Sequence, residues 1–212
     1  MTLRLRPGRD EDASFIIALI DAAWREYPGI VLDVDGEEPD LRALASAFAA
    51  RGGMFWIAEA ADGTPLGMAG VRRAGPPWML ADAWEIARVY VAPAARGTGV
   101  AQALMDRAER HAIAAGARHL VLHTDTRFSR AHRFYAQAGY VRHGPIKVLH
   151  DRSHSLEYAC AKPVDGAWAL DAAAAASAEA GLAALLAVAA GEGAMAALPV
   201  DADTTACADC AA

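Results

Sequence analysis

A chain of 212 residues, 55% of them hydrophobic and 22% charged, has room for one ordinary domain with its own core plus an appendage. No apolar run approaches the roughly 20 residues needed to span a bilayer, and Met1–Pro7 alternates Leu with Arg where a secretory signal would be apolar. The net charge of −6 is unevenly spread: no Lys or Arg follows Lys162, and setting aside the seven carboxylates beyond it leaves residues 1–162 near +1. A near-neutral body lacks the basic surface that nucleic-acid binding needs. The three cysteines, Cys160, Cys207 and Cys210, form no disulfide framework. Together these features predict a soluble, cytoplasmic protein with no nucleic-acid or membrane partner.

Leu3–Arg6 reads as a short strand ended by Pro7. Asp10 or Asp12 is placed to cap a helix running to about Trp24, with Phe15, Ile16, Leu19 and Ile20 on one face. Asp33, Asp35, Glu37 and Glu38 make an acidic loop, and Asp40 is placed to cap a second helix over Leu41–Ala50. Met54–Ala60 and Leu66–Arg73 read as strands joined by an Asp62-Gly63 hairpin turn. Ala83–Val91 reads as a strand, Gly97–Ala115 as a helix and His119–Thr124 as a strand. Ser129 is placed to cap a helix reaching Ala138, and Tyr140–Val141 and Leu156–Ala161 read as final strands. This order predicts an α/β fold, a mixed sheet with helices on its faces. Residues 163–212 differ in kind: they are alanine-rich and acidic, and a helix is expected over Leu170–Ala190. The expected division is a body of residues 1–162 and a C-terminal extension of residues 163–212.

The segment Val89-Tyr90-Val91-Ala92-Pro93-Ala94-Ala95-Arg96-Gly97-Thr98-Gly99-Val100-Ala101 is a strand running through a glycine turn into a helix. Free N–H groups and the dipole at a helix start suit a pyrophosphate, and Gly97 and Gly99 allow close approach. An ordinary strand–helix turn has the same outline. The segment also resembles the arginine-x-x-glycine-x-alanine signature of the GCN5-related N-acetyltransferase (GNAT) superfamily, with Arg96, Gly99 and Ala101 at the fixed places. Ala131-His132-Arg133-Phe134-Tyr135-Ala136-Gln137-Ala138-Gly139-Tyr140 is similar to a second block of that family. The resemblance covers residues 1 to about 162 and is strongest over 83–141.

The resemblance implies a GNAT-like fold and acetyl-CoA as cosubstrate, held by Val89, Val91, Arg96, Gly97, Thr98, Gly99, Val100 and Ala101. Many members hold CoA with an asparagine where this chain has Phe128, so Ser129 or backbone groups are expected to take over. The resemblance gives Tyr135 the role of general acid for the leaving thiolate. Glu85 is the candidate general base, because an amine with a pKa near ~10.4 must lose a proton before it attacks. Alternation along the strand puts Glu85 on the face of Ala87, Val89 and Val91, although it could equally pair with a cation such as Arg88. Asp33, Asp35, Glu37 and Glu38 fall in the region that borders the acceptor mouth in this family. They are expected to favour a cationic or amine-bearing acceptor.

No metal is expected. His150 and His154 stand four apart in a predicted strand–turn region, and Cys207-Ala208-Asp209-Cys210 is a lone pair of thiols. Leu182, Leu185 and Leu186 form a narrow apolar stripe compatible with a homodimer. The expected function is transfer of an acetyl group from acetyl-CoA to a primary amine of a small molecule or peptide. The alternative is a degenerate member that binds acetyl-CoA as a sensor. A toxin acting on charged tRNA is disfavoured by the neutral body.

Overall fold

The computed structural model describes residues 3–75 and 78–169. The expected helix over Leu170–Ala190, the Leu182–Leu186 stripe and the Cys207/Cys210 pair lie outside the described residues. Eight strands form one sheet: β1 (Arg4–Pro7), β2 (Met54–Glu59), β3 (Pro65–Arg73), β4 (Ala83–Val91), β5 (His119–Asp125), β6 (Val141–Arg142), β7 (Lys147–Val148) and β8 (Leu156–Pro163). Their order is β1-β2-β3-β4-β5-β8-β6, with β7 also pairing β8. All neighbours are antiparallel except β4 and β5, which run parallel. The α-helices among the described residues are α1 (Ala13–Trp24), α2 (Leu44–Ala50), α3 (Val100–Ala114) and α4 (Ser129–Gln137). The two-residue strand β7 was not anticipated, being too short to carry a periodic signal.

Strand alternation divides the buried side chains into two layers. Trp56 and Ala58 of β2 pack with Val100, Leu104, Met105 and Ala108 of α3 on one face. Phe55 and Ile57 pack with Ile16, Leu19 and Ile20 of α1 and Leu44 and Phe48 of α2 on the other. Each fully buried aliphatic or aromatic side chain contributes about 1.5–3 kcal/mol, so both layers hold the sheet. The Asp62-Gly63 turn closes β2 onto β3: Ala60 N–H donates to the Thr64 carbonyl at 2.9 Å, with Gly63 at φ +85°.

Three expected caps are differently used. Asp10 accepts from the Ser46 N–H at 3.0 Å and the Ser46 hydroxyl at 2.6 Å, tying the start of α1 to α2. Asp40 lies in a 3-10 turn over Pro39–Ala43 and turns its carboxylate to Arg88. At α4 the N-cap is Phe128, with no side-chain cap bond, and Ser129 is the first helical residue. For Asp10 and Asp40 a distant partner, invisible to local pattern, claims the carboxylate.

Candidate active site

The parallel pair β4–β5 is short. Ala83, Trp84 and Glu85 pair with His119, Leu120 and Val121, and no pairing follows. Beyond it the strands part, opening a cleft at their carboxyl ends, where open α/β sheets bind ligands. The cause is a bulge in β4. Its register with β3 shifts between Met68 and Gly70, and Arg88 adopts φ +59°. A non-glycine residue in that conformation costs on the order of 1–3 kcal/mol unless its surroundings hold it. The hold is visible: the half-buried Arg88 guanidinium bonds Glu38 closely and Asp40 at 3.3 Å.

The bulge reverses the alternation. Trp84 and Ile86 belong to the α3 layer and Ala87 to the α1 layer. After the bulge Val89 and Val91 face the α3 layer, while Tyr90 joins the α1 layer. Glu85 therefore does not share a face with Val89 and Val91, as strict alternation had suggested; the extra residue shifts the count by one.

On the α3 side lies a groove of about 440 Å³. It is lined by Val89, Val91, Arg96, Gly97, Gly99 and Ala101, six of the residues expected to hold CoA. Gly97 and Gly99 have φ +75° and +87°, and a Cβ added at either would meet no protein atom within 4 Å. Such a Cβ would project into open space beside the turn. Gly99 is the N-cap of α3, and its carbonyl accepts the N–H of Ala103 at 3.0 Å. The N–H groups of the first helical turn thus have no intrahelical partner. Arg96 bonds Glu26 at 2.6 and 2.9 Å, and Arg130 meets the same carboxylate at 3.1 Å. Apolar walls, unpartnered N–H groups and two arginines match the parts of acetyl-CoA: an apolar arm and anionic phosphates.

The other expected CoA residues sit differently. The Thr98 hydroxyl donates to the Ala95 carbonyl at 2.6 Å, Val100 is buried in the core, and exposed Ser129 is not among the groove lining. Phe128 does line the groove, with its ring 4.8 Å from Tyr27. An aromatic pair thus stands where the resemblance led to an expected asparagine.

On the opposite side of the cleft is a polar cavity of about 320 Å³. Glu85 lines it, bonded to Arg72 at 2.9 Å, 3.6 Å from Arg51 and 3.5 Å from His123 Nδ1. Burial opposes its ionisation, but the His123 contact and the Arg72 and Arg51 charges outweigh it and pull its pKa down to about 2. Arg88, Glu38 and Glu157 line the same cavity. Sequence reasoning missed His123 and Arg88 as site residues. The usable signal for His123 was its place two residues beyond Val121, the β5 register partner of Glu85.

Of the acidic loop, only Glu38 lines this cavity. Asp33 accepts from the Gly36 N–H at 2.9 Å and pairs with Arg152 at 3.1 Å, and Asp35 pairs with Arg42 at 2.5 Å. Glu37 accepts the Arg152 backbone N–H at 2.7 Å. The groove and the cavity share Val89, Tyr90, Phe128, Ala131 and Tyr135. Tyr135 is 8% exposed, and its hydroxyl makes no hydrogen bond among the described residues. Burial, then Tyr90 and Cys160, raise its pKa, so the phenol keeps its proton.

A mixed sheet that parts at β4–β5, with a glycine turn opening α3, places the chain in the α/β class of folds. The family model described as the acetyltransferase (GNAT) family matches residues 16–140, and the chain belongs to that family. Members are acetyl-CoA-dependent N-acetyltransferases that act on amines. Among solved structures, a GNAT-family acetyltransferase from Staphylococcus aureus Mu50 aligns over 77% of this chain and 99% of its own, with TM-score 0.64 and 17% identity. The yncA protein of Salmonella typhimurium, solved with its cofactor acetyl-CoA, aligns over 81% and 99% with TM-score 0.61 and 20% identity. A ribosomal-protein-alanine N-acetyltransferase from Brucella melitensis aligns over 76% and 99% with TM-score 0.59 and 18% identity. No helix among the described residues is long and apolar enough to cross a membrane.

Proposed function

We propose that this chain transfers the acetyl group of acetyl-CoA to a primary amine of a small molecule or peptide. The observation that carries this reading is the meeting of two cavities at Val89, Tyr90 and Tyr135: an apolar groove with an anion-binding turn, and a charged cavity. Arg96, Gly97, Gly99 and Ala101 hold the cosubstrate, and the parted edge of β4 offers Val89 and Val91 to its acyl end. A backbone N–H aimed at the carbonyl oxygen there stabilises the charge that develops on attack. Tyr135 holds a proton for the leaving sulfur. Glu85 supplies the carboxylate of the proton path from the amine. Glu38, at the end of the acidic loop, supports a cationic acceptor; its three loop neighbours act at longer range.

The test is a panel of amines, amino acids and short peptides, followed by release of free thiol from acetyl-CoA. Amine-dependent thiol release supports the reading. A second reading, an acetyl-CoA sensor without turnover, is favoured by one observation: Glu85 is held by Arg72 at a pKa of about 2, a weak base. Acetyl-CoA binding with no thiol release from any amine would select it.

A further inference from the structure

A carboxylate held at a pKa of about 2 between arginines is a poor acceptor for an amine proton. The neighbour that can accept one is His123, on β5 across the parted strands. It lines the cavity, with 13% of its side chain exposed, and its Nδ1 lies 3.5 Å from Glu85 Oε1. No other hydrogen bond is made by the ring among the described residues, so Nε2 has no partner among them. The Trp78 ring, 4.9 Å away, packs against the imidazole and limits its rotation.

We propose that His123 is the general base that takes the proton from the acceptor amine at Nε2, with Glu85 as the positioning residue that binds Nδ1–H. The inference rests on the acetyl-transfer reading. Glu85 fixes the tautomer in which Nδ1 carries the proton and Nε2 the lone pair. Its own contacts with Arg72 and Arg51 keep it in place. The other charged groups of the cavity are Arg72, Arg88, Lys147, Glu38, Asp125, Asp151 and Glu157. Two protons leave the ammonium nitrogen as it becomes an amide. One passes to His123 and then to solvent, and the neutral nitrogen forms the N–C bond while the C–S bond breaks. The sulfur takes a proton from Tyr135, which the second nitrogen proton replaces through solvent.

The test compares wild type with His123→Gln, His123→Ala and Glu85→Gln, using the best amine found by thiol release. Acetyl-CoA affinity, read by thermal shift, serves as the folding control. His123→Gln should lower kcat/KM for the amine by about 10²-fold or more near pH 7. That deficit should shrink toward pH 10, where the amine loses its own proton. In His123→Gln activity should instead follow the fraction of neutral amine and rise about tenfold per pH unit toward pH 10. Glu85→Gln should lose less than His123→Gln, because the base remains and only its partner at Nδ1 is changed. Added imidazole should restore turnover to His123→Ala, which covers the case of a glutamine variant that misfolds. A deficit equal at every pH would mark His123 as structural and overturn the proposal. So would a Glu85→Gln deficit larger than that of His123→Gln and shrinking in the same way toward pH 10, since Glu85 would then be the base. A wild type inert toward every amine overturns the acetyl-transfer reading itself, and this inference with it; the other failures leave that reading standing.

Discussion

The Trp168 indole lies almost parallel to the His143 imidazole, with centroids 5.2 Å apart and planes 6° from each other. The indole also stacks on His119, at 5.8 Å and 25°. The buried His119 Nδ1–H donates to the Ala81 carbonyl at 2.8 Å, which leaves Nε2 to accept the Ala169 N–H at 3.1 Å. Ala81 N–H donates to the Ala169 carbonyl at 3.1 Å. The segment after β8 is thus pinned to the end of the sheet away from the cleft mouth, past the expected boundary at residue 162.

A chain ending at Gly166 should therefore fold, yet melt earlier than one ending at Ala169. Aromatic stacks are worth about 0.5–1.5 kcal/mol each, so the loss should be about 1–3 kcal/mol in urea denaturation. Trp168→Ala in the full chain should lose a similar amount. Unchanged kcat for acetyl transfer in all three is expected, because Trp168 lines neither cavity. Equal stability of the two shortened chains would show that the stack contributes nothing.

What was legible in the sequence was local. β4, the Gly97–Gly99 turn and α3 follow one another within 32 residues, and each is set by its own neighbours. Tyr135 was legible through its block of residues. What was not legible depends on pairs far apart in the chain. Arg88 is drawn to Glu38 across 50 residues, His123 to Glu85 across 38, and Glu26 to Arg96 across 70. The bulge at Arg88 follows from such a pairing. Because it shifts the strand alternation by one, the assignment of Glu85 to a face failed where simple counting was applied. Trp168 was visible only as the last aromatic residue; its histidine partners come from β5 and the segment after β6.

Gly99→Asp should abolish acetyl-CoA binding. The new side chain must adopt φ +87° and puts a negative charge beside the α3 N-terminus. Wild type should show a raised Tm in acetyl-CoA, because the ligand binds only the folded state, and the variant should show none. A full thermal shift in Gly99→Asp would move the cosubstrate away from this turn.

Glu26 holds both Arg96 and Arg130 at the groove. Any phosphate that uses these arginines must displace its carboxylate. Exposed ion pairs are worth about 0.2–1 kcal/mol each, so Glu26→Gln should tighten acetyl-CoA binding about two- to tenfold in calorimetry. Weaker binding by the variant would mean that Glu26 holds the arginines in place for the ligand instead of competing with it.

The acid stability of the fold should depend on Glu85. Its folded pKa of about 2 lies below the ordinary 4.5, so between those values the unfolded chain binds more protons. The stabilisation is present in full above pH 4.5 and fades as pH falls toward 2. Each tenfold change in acidity corresponds to about 1.4 kcal/mol, which makes the contribution on the order of a few kcal/mol. Glu85→Gln should be less stable than wild type at pH 7, and the gap should close between pH 4.5 and 2. A constant gap across that range in urea titrations would mean that the carboxylate charge does not stabilise the fold.

Tyr135→Phe keeps the ring of a residue that touches both cavities and removes only the hydroxyl. That hydroxyl has no hydrogen-bond partner among the described residues, so its loss strands no buried donor or acceptor and should cost little stability. Its raised pKa means that the proton is present throughout the physiological range and is transferred only to a strong base, which a departing thiolate provides. The variant should bind acetyl-CoA as wild type does and lose about 10²- to 10⁴-fold in kcat, the usual worth of a positioned acid. Acceptors should be affected alike, since the missing proton goes to the sulfur and not to the amine. The loss should also be smaller for acetyl thioesters with more acidic thiols, which depart without help. A kcat within a few-fold of wild type, or a loss that ignores thiol acidity, would leave Tyr135 as a wall of the two cavities and no more.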